Sequence, residues 1–187
     1  MDALLERSHQ LKQALIDFIL DADDELAQAL ESYAATQLRR GSGDIIQQEL
    51  SIDSFAIEGK VGDNSPLDLF IQTHPELSES DRQLLNSWHR SFMGLFAIIK
   101  VLDDGFELMN WLTAKNYIVK FNNAKTQQEM SRLKEGEILL TRISPVTESY
   151  WTFSGPYTQM GKLGKPKLAV AIGNFKENYK NHLYSDA

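Results

Sequence analysis

Between Trp88 and Phe121 the chain changes its apolar period, and that change constrains the fold more than any other feature. The stretch WHRSFMGLFAIIKVLDDGFELMNWLTAKNYIVKF leaves an amphipathic helix and then reads as β-strand through three successive runs. Gly94 to Leu102 (GLFAIIKVL) is apolar and rich in β-branched residues, which suits a buried strand. Asp103-Asp104-Gly105 predicts a tight hairpin, because Asp and Gly tolerate the left-handed backbone such a turn uses. Phe106 to Asn110 and Tyr117 to Phe121 add two alternating segments. The expectation is a small antiparallel β-module with helices at both ends.

Upstream, Leu11, Leu15, Phe18, Ala22, Leu26, Ala29 and Tyr33 recur at helical steps, predicting one long helix with an apolar face. Arg39-Arg40-Gly41 is its stop signal, with cations on the negative helix end and a Gly free to turn left-handed. Asp21, Asp23, Asp24 and Glu25 fall inside this helix or mark a break in it. A calcium loop would need a sharp-turn Gly where Leu26 stands, so a solvated acidic face is the preferred reading. Gly41-Ser42-Gly43 makes a flexible joint, and residues 44–58 read as helix in preference to strand. Ser65 caps a short helix with Pro66 in its first turn, and Ser78-Glu79-Ser80-Asp81 reads like a capping box. His74 and His89 each stand without a partner at metal-ligand spacing.

Downstream, Ala124 to Leu133 can form a helix, Glu137 to Ser144 (EILLTRIS) is a strong strand, and Ser149 to Phe153 pairs back on it. Gly155-Pro156 is expected to end the module. The segment after it holds Lys162, Lys165 and Lys167. It is no phosphate-binding P-loop: five residues separate Gly155 from Gly161, and Leu163 follows Lys162. Gly161-Lys162-Leu163-Gly164 matches the tetrapeptide with which KH domains clamp nucleic acid, but a strand precedes it and Pro166 follows. A basic loop entering a C-terminal helix is preferred, and Leu168, Ala169, Ala171, Ile172, Phe175 and Tyr179 give that helix an apolar side. Tyr184 to Ala187 read as a frayed end.

The fold class is therefore α+β: an N-terminal helical lobe (1–93), then a small antiparallel β-sheet or partly open barrel closed by a C-terminal helix (94–187). The two together can also form one integrated domain. The first stretch carries 7 Lys+Arg against 17 Asp+Glu and the second 12 against 9, so the net charge of −7 hides an acidic half and a mildly basic one. There is no Cys, hence no disulfide, thiolate metal site or Cys nucleophile. The charged start MDALLERSHQ is unlike a secretory leader, and no apolar run approaches the ~20 residues that span a bilayer, so a cytoplasmic protein is expected.

No catalytic, metal-binding or nucleotide-binding signature survives this reading, and no cofactor is expected. The first expectation is a non-catalytic interaction or regulatory module that binds a protein partner through the β-module. Its candidate contacts are Trp111, Lys115, Arg142, Trp151, Tyr157, Lys162, Lys165 and Lys167. Trp111 offers an anchor of apolar area plus a donor, although folding back as a lid over the sheet's end is the preferred role for it. Arg142 and Trp151 are expected to pack together as a cation–π pair. The alternative is a nucleic-acid binder in which Arg142 and the three lysines reach phosphates; the acidic net charge weighs against it. The third reading, an enzyme or small-molecule binder, would rest on His89, Glu107 and Asp104, none with a visible partner. A homo-oligomer through the N-terminal helix is a further expectation.

The run from Ser65-Pro66-Leu67-x-x-Phe70 through Trp88 and Leu95-Phe96 to Phe121, with GKLGKPKLAVAIGNFK downstream, resembles conserved hypothetical proteins of cyanobacteria over roughly residues 44–180. More distantly it is similar to bacterial proteins that end in a Cys-rich zinc motif of the SEC-C type, which this chain lacks. The resemblance implies a small β-domain after a helical segment and brings no functional residue with it.

Overall fold

A computed structural model describes residues 2–38 and 45–179. Its element order is α1 (Ala3–Leu20), α2 (Glu25–Leu38), α3 (Ile45–Glu58), α4 (Pro66–Thr73), α5 (Glu79–Ser87) and a 3-10 turn (Trp88–Arg90). There follow β1 (Phe92–Leu102), β2 (Gly105–Asn110), β3 (Asn116–Lys120), α6 (Ala124–Met130), β4 (Ile138–Pro145), β5 (Trp151–Gly161) and α7 (Lys165–Asn178). The fold is α+β, with helices before the strands, α6 between β3 and β4, and α7 after them. The predicted helix stop at Arg39 to Gly41, the joint at 41–43 and the frayed end at 184–187 lie outside the described residues. Two compact units result: Arg7–His89, and Met1–Glu6 with Arg90–Ala187. No helix among the described residues is long and apolar enough to cross a membrane.

In the helical unit the acidic cluster marks a break. Asp24 accepts the Leu26 N–H on its side chain at 3.1 Å and so caps α2, which ends α1 at Leu20. A short carboxylate competes well for free helix N–H groups, and here that competition outweighs continuation of the helix. Residues 45–58 are helical as preferred. The reciprocal capping box sits at α4: Ser65 accepts from Asp68 N–H at 3.1 Å, and Asp68 accepts from Ser65 N–H at 3.3 Å. At α5 only half of the box forms, because the Asp81 side chain is taken by Arg7. Leu15, Ile19, Phe55, Leu67, Phe70 and Leu85 are all buried. Phe18 meets Phe70 edge-on at 5.5 Å, and Tyr33 meets Phe55 at 5.5 Å. Lys12 pairs with the buried Asp53 and lies 5.4 Å from the Trp88 ring.

In the other unit five strands close into a hydrogen-bonded ring in the order β1-β2-β3-β5-β4. Four of the five junctions are antiparallel. The closing one, β3 to β5, is parallel and short (Val119↔Trp151, Lys120↔Thr152). The α6 connection produces it, since β4 then returns against β1 and leaves β5 running alongside β3. Phe92, Phe96, Phe106, Phe121 and Phe153 fill the ring with aliphatic neighbours, and Met130 and Leu133 from the α6 segment join them. Each fully buried Phe contributes about 2–3 kcal/mol, so these side chains dominate the unit's stability. The Asp2 carboxylate accepts from the Tyr150 hydroxyl at the margin of this unit. Burial and that carboxylate together push the phenol up to about 12.

The expected stop at Gly155-Pro156 is corrected: β5 runs on to Gly161. Thr141 pairs with Tyr157 and Ile143 with Phe153, so Ser154-Gly155-Pro156 all stand opposite Arg142. Pro lacks the N–H the ladder needs, and a bulge absorbs the defect without ending the strand. The basic loop accordingly shrinks to the few residues between Gly161 and α7.

Candidate functional site

The turn that joins β2 to β3 displays an exposed Trp on a hydrogen-bonded backbone. Asn110 N–H donates to Lys115 O at 2.9 Å and Ala114 N–H to Asn110 O at 2.8 Å, closing the turn. The buried Asn110 side chain accepts from Leu112 N–H at 3.0 Å, and Trp111 N–H donates to Leu95 O on β1 at 3.0 Å. Every one of these bonds fixes the backbone around Trp111, yet the residue remains 37% exposed. Ala114 has φ +60°, and it alone among the described non-glycine residues has a positive φ. A left-handed alanine costs on the order of 1 kcal/mol, which the surrounding hydrogen bonds offset. Lys115 is exposed in the same turn. The lid role preferred for Trp111 calls for a buried residue, and Trp111 is exposed.

The other expected contacts separate into two groups. Lys162, Lys165 and Lys167 are exposed, the first just after β5 and the others at the start of α7. Trp151 and Tyr157 are half-buried and pack on the ring's core, Trp151 edge-on to Phe92 at 5.6 Å and to Tyr117 at 5.3 Å. Arg142 is 0% exposed, and its Nη1 donates to the Ser91 hydroxyl at 3.1 Å. Alternation along β4 puts Leu139 and Ile143 inside the ring and Arg142 on its outer face, in register with Met93. The cation over Trp151 is Arg90, at 5.8 Å, in place of the expected Arg142. Arg142 therefore does not offer its charge to a phosphate or a partner.

The enzyme candidates acquire partners that spacing along the chain did not reveal. His89 Nε2 lies 2.9 Å from Asp68 Oδ1. Burial pushes the Asp68 carboxyl up, but hydrogen bonds from Ser65 and the nearby His89 ring outweigh it and hold the group below the usual carboxylate range. Asp104 pairs with Lys120 at 3.3 Å, and Glu107 stands opposite Lys100 on the hairpin. Among the described residues no three His, Asp or Glu side chains converge closely enough to hold a metal.

Sequence reasoning missed a groove of about 1060 Å³ within the helical unit. Half-buried Phe18, Ala22, Leu69 and Leu77 and buried Leu11 and Phe70 give it apolar walls. His74 stacks on Phe70 at 4.3 Å and meets Phe18 edge-on at 5.7 Å. At 2.7 Å from the Phe70 carbonyl, His74 Nδ1 must carry the proton, because a carbonyl only accepts. Asp21, Asp24, Glu25 and Glu76 also line the groove, and all four are exposed. Among the described residues the one Lys or Arg on its walls, Arg7, is taken by Asp81 through two bonds of 2.9 and 2.7 Å.

No protein-family model, no curated protein and no solved structure matches this chain.

Proposed function

We propose that the chain is a non-catalytic interaction module that docks a protein partner on the β2–β3 turn, with Trp111 as the anchor. The observation that carries this reading is an exposed Trp on a backbone held at four points and strained at Ala114. A free surface loop would move, and docking it would lose conformational entropy at binding; here that loss is already met in folding. Trp combines a large apolar face with a donor, which is why it recurs among the residues that dominate binding energy. Lys115 supplies an adjacent cation, and the exposed lysines of the α7 start extend the positive character of this unit. Removing Arg142 from the accessible set weakens the nucleic-acid alternative, which leaned on it for a phosphate contact.

The test is affinity capture of tagged wild-type and Trp111→Ala chains from the source cells, half of each sample treated with nuclease. A protein that survives nuclease with the wild type and disappears with Trp111→Ala, while the variant keeps its circular dichroism, supports the reading. The same partner captured by both chains sinks it. Material lost on nuclease treatment points to nucleic acid.

A further inference from the structure

We infer that the groove of the helical unit is a binding site for an organic ammonium carried on an apolar body, such as an arylalkylamine. Three observations meet there. The walls are apolar and aromatic, with Phe18 half-buried and so still presenting ring surface to an occupant. The charge around them is one-sided: Asp21, Glu25 and Glu76 pair with no cation among the described residues, and Asp24 spends one oxygen on the α2 cap. Among the described residues the single Lys or Arg lining the groove, Arg7, is already held by both oxygens of Asp81.

A ligand completes this arrangement only if it brings both an apolar body and a positive charge. An anion would meet four carboxylates. A neutral apolar body would fill the walls and leave those carboxylates repelling one another. An ammonium gains from them and from the negative faces of the aromatic rings. The volume, about 1060 Å³, stands at the upper end of small-molecule sites and accommodates an aromatic ring, its linker and ordered water. The site lies in a different unit from the Trp111 turn, and its success or failure is independent of that surface.

Three probes with one body decide the matter: 3-phenylpropylammonium, 3-phenylpropanol and 3-phenylpropanoate, each titrated into the full chain and followed by backbone amide shifts. The ammonium should bind about ten-fold tighter than the alcohol, with the carboxylate weakest, and shifts should concentrate on α1, α4 and the α1–α2 break. Raising the salt from about 20 to about 500 mM should erase most of the ammonium's advantage and leave the alcohol unchanged, since exposed charges are screened. The double substitution Glu25→Gln, Glu76→Gln should bring the ammonium down towards the alcohol while the circular dichroism stays that of the folded chain. Phe18→Ala should weaken all three probes. Equal binding of the three, shifts located elsewhere, or no ammonium binding up to about 10 mM would each overturn the assignment.

Discussion

A Cβ on Gly105 would stand 2.1 Å from the carbonyl oxygen of Val119, closer than any side chain can be. Gly105 opens β2 and pairs with Lys120, so β2 and β3 approach here to a distance only glycine permits. The substitution Gly105→Ala must push the two strands apart and is expected to destabilise the strand unit by about 2–3 kcal/mol. Gly173 in α7 is the internal control, because a Cβ there meets nothing within 4 Å. Gly173→Ala should stabilise the chain by about 0.5–1 kcal/mol through the lost freedom of the unfolded state. Urea unfolding of the two variants checks both signs.

Gly105 also illustrates what the amino-acid order can and cannot convey. Asp103-Asp104-Gly105 located the hairpin correctly, but for a reason that does not operate: neither aspartate has a positive φ. What requires the glycine is the Val119 carbonyl, fourteen residues later on β3, and local turn chemistry contains no trace of it. The strands themselves were legible because alternation is a local property, and EILLTRIS becomes β4 almost residue for residue. Gly155-Pro156 misled because a local breaker was overridden by pairing to β4 on one side of the bulge and the other. The groove was illegible for a similar reason. Its acids are ordinary solvated residues at the α1–α2 break and in the connection after α4, and only the approach of Leu69, Phe70 and His74 makes them the rim of something.

Arg142 separates a structural cation from a binding one. Its charge is fully buried and hydrogen-bonded to Ser91, and truncating one member of such an arrangement leaves polar groups stranded and a cavity behind. Arg142→Ala is expected to cost about 3 kcal/mol, and Arg142→Met, which keeps the stem, should cost less. Thermal and urea unfolding measure both. Were Arg142 instead a surface contact for a partner, its alanine variant would unfold like the wild type, since exposed substitutions rarely shift stability by more than about 0.5 kcal/mol.

The Arg7–Asp81 pair makes the helical unit sensitive to acid. The two hydrogen bonds from Arg7 hold the Asp81 carboxyl below the usual carboxylate range against the opposing effect of burial, and Ser78 adds to the lowering. The same pairing raises Arg7. Because the folded chain holds this carboxylate ionised more firmly than the unfolded chain does, folding is favoured wherever Asp81 is charged. That stability is complete above the unfolded carboxylate value near ~4 and is lost as pH falls through the lower folded value. Asp81 also lies in the first turn of α5, where its negative charge complements the free N–H groups, so Asn at this position loses two favourable interactions. The Arg7 side chain is 45% exposed, which screens the pair, and Asp81→Asn should cost only about 1 kcal/mol at pH 7. The informative quantity is the pH dependence of that difference. Urea unfolding of wild type and Asp81→Asn between pH 7 and about pH 2 should show a constant gap down to about pH 4 and a shrinking one below it. Asp68, also held low, leaves the variant some acid sensitivity of its own. A gap that stayed unchanged to the lowest pH would mean that the charge of Asp81 contributes nothing and that the loss comes from packing alone.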